Sequence, residues 1–188
     1  MKDINYNEYQ ETTRETSGCD ELPILALGLI GETFEFISAY QHIESKGTQK
    51  PLIEAIDLVT HEAGDVLWYA ARVMDVLDTP FACWHHSGTT DNFNTCCIKK
   101  QRIFRLLSNA TIATEHIKKV HGHGHTLDTW LVITAVSDIV RDISYILKTL
   151  HGRSGFELAI QKNIAKLKKR YPNGFEQERS KNRLLQDI

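Results

Sequence analysis

The chain has 188 residues, of which 41% are hydrophobic and 24% are charged, and its formal net charge is -2. This composition is that of a globular protein that is long enough to bury a substantial core. The near-zero charge gives no electrostatic basis for binding nucleic acid or an anionic membrane surface, and we expect neither as a partner.

The chain carries several signs of a cytoplasmic protein. Its first residues, Met1–Tyr6, are partly charged and lack the apolar stretch of a secretion signal. No run approaches 18 consecutive apolar residues, so we expect no membrane span. Cys96 and Cys97 are adjacent, which is a poor framework for disulfides, and reduced thiols are expected.

The spacing of apolar residues predicts an all-α fold in a single domain over residues 1–188. Few prolines interrupt the long segments in which apolar residues recur with helical spacing. On the second helix, this spacing predicts a buried face of Leu27, Ile30, Phe34, Ile37 and Ile43. Five or six helices fit the sequence, approximately at Ile4–Thr16, Pro23–Glu44, Leu52–Leu77, Cys97–Val120, Leu127–Leu150 and Phe156–Arg170.

Three connections are predicted between and after these helices. Residues 82–95 are polar and indicate a surface loop. The stretch His121–His125 alternates histidine with glycine and is expected to interrupt the chain between two helices. Tyr171–Phe175 indicates a turn, and a polar tail follows it.

Two pairs of acids stand inside apolar helical segments. Glu32 and Glu35 form one pair, and Glu62 and Asp65 form the other. A spacing of three residues places both carboxylates of a pair on one helix face. Two such charges about 4 Å apart repel by roughly 4 kcal/mol at an effective dielectric near 20. Four gathered acids would mostly protonate unless a cation neutralised them, and oxygen ligands suit hard divalent ions, above all Mg²⁺.

The two pairs can lie at the same level of neighbouring helices. The 26 residues from 36 to 61 separate Glu35 from Glu62, enough for two turns of helix, a loop and two turns back. The connecting turn predicts antiparallel neighbours, as in an up-down helical bundle. The structural alternative for these acids is ion pairing with neighbouring helices.

These segments resemble the MazG-like all-α NTP pyrophosphohydrolases. Gly28–Glu35 and Glu62–Tyr69 are similar to the family's E-x-x-E, spacer, E-x-x-D pattern with its usual flanks. Asn163–Phe175 looks like the closing helix and turn of the family, and Tyr9-Gln10 resembles part of its first helix. The resemblance covers roughly residues 5–80 and 156–183, and about 70 residues between them depart from a minimal family member.

The resemblance implies hydrolysis of a nucleoside triphosphate at the α–β bond, giving the monophosphate and pyrophosphate. It implies that Glu32, Glu35, Glu62 and Asp65 hold Mg²⁺, with Mn²⁺ as a substitute. Glu35 would bridge metals or accept the proton of the attacking water. The resemblance also implies homodimers or higher homo-oligomers, because family members commonly pair to complete the pocket.

The remaining substrate contacts are assigned by resemblance and by helix geometry. Lys166 and Arg170 share one helix face and would clamp the phosphates, although a solvated basic face is the alternative. Asn163 lies one turn earlier, and Lys169 would assist. Three further candidates are Tyr69 for the sugar or phosphate, Trp68 for stacking on the base or packing in the core, and Gln10 at the rim.

A second copy of the helix pair is predicted at about residues 97–155. When this copy is aligned with the first helix pair, Glu115 and Asp142 occupy the places of Glu35 and Asp65. Ile112 and Ile139 then replace the other two acids. Chance similarity between amphipathic helices is the alternative. An internal copy of this kind would take the place of a partner subunit.

Other functions remain open within the same fold. The alternatives are a pyrophosphatase for dUTP, dCTP or phosphoribosyl-ATP, or a non-catalytic nucleotide-sensing module. A di-iron carboxylate protein is disfavoured, because none of the nine histidines follows a glutamate by three residues. Two metal sites are disfavoured. The histidines of His121–His125 fit a surface loop better than a metal site. A zinc site would need an unusual ligand spacing, which matches no known zinc finger, from Cys83, His85, His86, Cys96 and Cys97.

Overall fold

A computed structural model describes residues 5–45, 49–81 and 96–181, and it confirms the all-α prediction for this part of the chain. A 3₁₀ turn at Gly152–Ser154 joins the fifth and sixth helices. The predicted loop at 82–95 lies outside the described residues. The α-helices are α1 (Tyr6–Glu15), α2 (Leu22–Ser45), α3 (Gln49–Val76), α4 (Cys96–His123), α5 (Thr129–His151), α6 (Gly155–Arg170) and α7 (Gln177–Lys181).

The helix ends follow from local chemistry. The Asn5 side chain caps α1 by accepting bonds from the first-turn N–H groups, and Asp128 caps α5 by accepting from Leu131 N at 3.0 Å. Beyond α3, Asp78 has a φ of 52°, and Gly152 after α5 has a φ of 75°. Both helices therefore end where the backbone enters a left-handed conformation.

One predicted helix end was wrong. The helix α4 continues to His123, and the chain turns at Gly124, which has a φ of 71°. Gly122 does not stop the helix, because one glycine in a helix costs only about 1 kcal/mol relative to alanine. The short helix α7 lies in the polar tail.

The buried face of α2 also differs from the predicted one. Leu29 and Phe36 are fully buried, whereas Leu27 and Phe34 are each 60% exposed. The helix is apolar around most of its circumference, so apolar spacing alone does not identify the face that packs. Ile37 is buried as predicted. The inner face of α3 is formed by the buried residues Val59, Ala63, Val66, Leu67, Ala70 and Val73.

The packing places α2 in contact with both α3 and α4. The helix α4 also packs against α5, while α3 contacts α5 and α6. The helix α1 lies across α3, and Arg14 Nε donates to both carboxylate oxygens of Asp75 there, at 2.8 and 2.9 Å. Buried Arg72 pairs with the same Asp75 and with Asp20, which fixes the connection between α1 and α2.

Among the helices that the structure describes, one has the length and composition to cross a membrane. The segment Leu22–Ile43 of α2 has a mean hydropathy of 1.5, although Glu32 and Glu35 lie in its middle. The core helix of a soluble protein passes the same test, and α2 packs against α3 and α4. The cytoplasmic location stays a prediction.

The acids of the expected second copy do not form a cluster. Asp142 is fully buried and pairs with Arg102, at 2.6 Å, and with Arg105. The guanidinium of Arg102 also stacks over the ring of Tyr145, 3.5 Å from its centroid. Glu115 lies on the surface with lysine partners one turn away. The internal repeat itself stays a prediction.

Replacing Asp142 with Asn should destabilise the protein by about 3–5 kcal/mol, because it leaves the buried Arg102 charge without its counter-ion. The free energy of unfolding in urea measures this loss. Glu115→Gln is the matched control and should have little effect, since its ion pairs are exposed and screened by solvent. Equal effects of the two substitutions would contradict the prediction.

Candidate active site

Three glutamates from two helices meet at one point. Glu32 and Glu35 come from α2 and Glu62 comes from α3, and one carboxylate oxygen of each lies within 4.8 Å of the others. Within the described ranges, no other group of three acidic, histidine or cysteine side chains comes this close. The two helices therefore place these acids at the same level.

The surroundings of this cluster disfavour negative charge. Burial, together with the nearby charges of Asp65, Glu35 and Glu62, raises the pKa of Glu32 from 4.5 to about 7, while Lys166 opposes the shift. Burial and two of the same acids also raise the pKa of Glu62. The cluster accordingly retains protons near neutral pH unless a cation replaces them.

Asp65 lies beside the three glutamates but has its own partners. Both of its carboxylate oxygens contact the ammonium of Lys166, and Oδ1 also accepts a bond from Asn163 Nδ2 at 2.8 Å. Asn163 is 2% exposed, and its Oδ1 accepts from the Tyr9 hydroxyl at 3.5 Å. The helix α6 thus supplies the groups that hold the fourth acid.

These residues line a cleft of about 640 Å³. The four acids line it together with Lys166, Lys169 and Arg170 of α6. The structure therefore brings the predicted metal ligands and three of the predicted phosphate contacts together. Cationic side chains in the same cleft as a carboxylate cluster suit a ligand that carries both phosphates and a metal ion.

An aromatic wall continues from the acids. Trp68 and Tyr69 follow Asp65 on α3, and their rings contact edge to face with centroids 4.8 Å apart. Trp68 Nε1 donates to Thr16 Oγ1 at 3.0 Å, which fixes its ring. Tyr69 lies directly against α2 at Gly28, where any Cβ would come within 2.0 Å of the Tyr69 ring. Both aromatic residues line the cleft, as the substrate assignment requires.

Two predicted contact residues lie elsewhere. Gln10 is buried and outside the lining of the cleft, because its side chain bonds the backbone at the end of α3, donating to Thr79 O at 3.0 Å. Its position corrects the expectation of a rim contact. Asn163 lies beneath the cleft and contacts Asp65 instead of facing the open space.

One part of the rim could not be predicted from the sequence. The loop Thr16–Cys19 lines the cleft, and the ring of Phe175 packs where a side chain on Gly18 would stand. Phe175 N also donates to Glu15 O at 3.0 Å. The turn Tyr171–Phe175 was recognised as a motif, but its contact with the first loop follows only from the fold.

The two weaker metal readings remain without support in the described chain. His121, His123 and His125 are exposed. Among the described residues, none of them belongs to a group of three metal-ligating side chains whose ligand atoms lie close together. Cys83, His85 and His86 lie outside the described residues, as do the side chains of Cys96 and Cys97.

No protein family, curated protein or solved structure was found to match this chain. The carboxylate donors themselves fit a hard divalent cation, because oxygen ligands from several acids are the set that Mg²⁺ and Mn²⁺ prefer. The raised pKa of Glu32 adds to this fit, since a bound cation would compensate the repulsion that raises it.

As the pH rises from about 4.5 to about 7, Glu32 should make the metal-free protein less stable. Glu32 binds its proton up to about pH 7 when folded, against a usual value of 4.5, so the folded state holds more protons in this window. Glu32→Gln should therefore be more stable than wild type at pH 8 by roughly 1–2 kcal/mol, allowing for solvent screening, with the gap closing towards pH 4.5.

Thermal unfolding across this pH range, without metal, measures the effect. Mg²⁺ should restore the stability of the wild type at pH 8 more than that of Glu32→Gln. Glu54→Gln, on the exposed side of α3, is the control and should follow the wild type. A constant difference between Glu32→Gln and wild type at every pH would contradict the assignment.

Proposed function

We propose that this chain is a Mg²⁺-dependent nucleoside triphosphate pyrophosphohydrolase of the MazG-like all-α type. Its fold would then be an antiparallel helical bundle in which residues 97–155 form a degenerate second helix pair. The substrate is a ribo- or deoxyribonucleoside triphosphate, and the products are the monophosphate and pyrophosphate. The reaction belongs to a cytoplasmic pathway of nucleotide metabolism.

The observation that carries this proposal is the meeting of carboxylates and cations in one cleft. Three glutamate carboxylates lie within 4.8 Å of one another, and Lys166, Lys169 and Arg170 line the same cleft. In a structural ion pair the acid is neutralised by its partner, as Asp142 is by two arginines. The glutamates instead keep raised pKa values at Glu32 and Glu62, which is typical of a site that awaits a cation.

The metal, when bound by these acids, would neutralise phosphate oxygens and lower the pKa of a water molecule. Glu35 is the most exposed of the three glutamates, and it would accept the proton of that water. The water oxygen then bonds to phosphorus at the α–β anhydride. The bridging oxygen departs with the bonding electron pair as part of either the monophosphate or the pyrophosphate, and solvent protonates it as required.

The remaining cleft residues have binding roles. Lys169 and Arg170 lie on α6 and would contact the outer phosphates, which spread their negative charge over several oxygens. Trp68 and Tyr69 offer flat apolar surfaces for the nucleoside. Asn163 acts indirectly, because it holds Asp65 and does not face the cleft.

Glu35→Gln should lower the rate of pyrophosphate release at least about a hundredfold, since it removes both a cation ligand and the proton acceptor. Helical content by circular dichroism should stay unchanged, because Glu35 is exposed. Glu54→Gln is the matched control and should retain full turnover. The assay uses the full chain with millimolar Mg²⁺ or Mn²⁺ and detects pyrophosphate.

The substrate panel separates the alternatives. It contains the common NTPs and dNTPs, including dUTP and dCTP, together with phosphoribosyl-ATP. Pyrophosphate from one of them identifies the substrate. Nucleotide binding without pyrophosphate from any of them would indicate a sensing module and would refute the proposed activity.

We also propose that the protein forms a homodimer or a higher homo-oligomer. The support is an exposed apolar strip on α2, where Leu27 and Phe34 are each 60% exposed and lie seven residues apart with Gly31 between them. Large exposed apolar side chains that share one helix face are typical of an association surface.

Phe34→Lys should shift the mass in solution towards that of one 21.5 kDa chain, because it places a charge on the α2 strip. Light scattering after size exclusion measures the mass. Trp130→Lys, at another exposed aromatic residue, is the control and should leave the assembly intact. A wild-type protein that runs as a single chain would refute the proposal.

A further inference from the structure

Asp65 is separated from the other three acids by its partners. The three glutamates group within 4.8 Å, whereas both oxygens of Asp65 are occupied by the ammonium of Lys166. An ammonium and a divalent cation at the same carboxylate repel each other, so binding of one disfavours binding of the other. A metal ion that uses Asp65 therefore competes with Lys166.

Lys166 is suited to displacement by such a metal ion. Its side chain and that of Asp65 are each about a quarter exposed, at 25% and 24%, and both face the cleft. A lysine ammonium is a hydrated point charge on a flexible four-carbon stem, so it changes partners without moving the helix. A polyphosphate in the cleft offers it oxygens with more negative charge than one carboxylate.

On the basis of the function proposed above, we propose that Lys166 is an exchangeable counter-ion. It holds Asp65 while the cleft contains no nucleotide, and it transfers to the polyphosphate when one binds, which leaves Asp65 free for the metal. Metal binding and polyphosphate binding are then coupled, because each makes the other more favourable by removing one competitor.

The carboxylate stays in place during this exchange. Asn163 continues to donate to Asp65 at 2.8 Å, and the Tyr9 hydroxyl supports Asn163 from the other side. Asn163 also packs closely on α3 at Gly64, where a Cβ would come within 2.9 Å of the Asn163 Cβ. Asn163 is therefore a positioning residue that fixes Asp65 whichever cation is present.

The neighbouring pair of Lys162 and Asp57 provides the comparison. It joins the same two helices one turn earlier on α6, but neither residue lines the cleft. If Lys166 only fastened α6 to α3, its removal would resemble the removal of Lys162. The exchange predicts that the two lysines behave differently.

The test is a titration of Mn²⁺ alone into the metal-free full chain, followed by electron paramagnetic resonance or calorimetry. Lys166→Met should bind Mn²⁺ about tenfold more tightly than wild type, because no ammonium competes for Asp65. Lys162→Met should match the wild type. If the helical content of Lys166→Met is lower than that of the wild type, Lys166→Gln is used for the same comparison.

A second pair of variants tests whether Lys166 weakens Mn²⁺ binding through its contact with Asp65. In Asp65→Asn, adding Lys166→Met should produce little further gain in Mn²⁺ affinity, because the shared oxygen ligand is absent. A full gain in that background would overturn the exchange, since it would show a general effect of charge. Unchanged or weaker Mn²⁺ binding by Lys166→Met in the wild-type background would overturn it as well.

The nucleotide assay should change in the opposite direction. Lys166→Met should raise the KM for the nucleoside triphosphate at least about tenfold while Mn²⁺ alone binds more tightly, a combination that a purely structural lysine does not produce. A turnover assay that fails for every nucleotide refutes the proposed function. Turnover with no change in Mn²⁺ affinity refutes only the exchange.

Discussion

Repulsion between carboxylates that packing forces together is the constraint on which this structure depends. The helices α2 and α3 pack against each other, and Leu29, Phe36 and Leu67 on these helices are fully buried. The acids on the same two helices must therefore tolerate one another at short range. A proton, a lysine or a bound cation can neutralise the negative charge of these carboxylates, and each leaves the cleft able to bind a different ligand.

Asp142 and Asp65 are neutralised by cations in two different ways. Asp142 is completely buried and is neutralised by Arg102 and Arg105, whose planar guanidinium groups hold it in a fixed geometry. Asp65 is partly exposed and is neutralised by one flexible lysine at the edge of a cleft. The first arrangement stabilises the packing of α4 on α5 permanently, and the second leaves a carboxylate that another cation can take over.

The positions of the helices and the meeting of the acids could be predicted from the sequence, because both follow from spacing along the chain. The two pairs of acids stand at helical intervals, and the length of chain between Glu35 and Glu62 sets their relative level. The buried face of α2 could not be predicted, because the helix is apolar on most sides and only its neighbours decide which side packs. The role of Gln10 was missed for a related reason, since a polar residue near a motif gives no sign that distant backbone groups will bind it.

The contact between the loop after α1 and the turn after α6 has a consequence for biosynthesis. Phe175 packs against Gly18, and Asn163 and Lys166 hold Asp65, so the cleft needs residues from the loop after α1, from α6 and from the turn after α6. A nascent polypeptide that has left the ribosome only as far as α5 carries the clustered glutamates but lacks the helix that holds Asp65. The cleft thus lacks part of its lining until α6 and the turn after it have been translated.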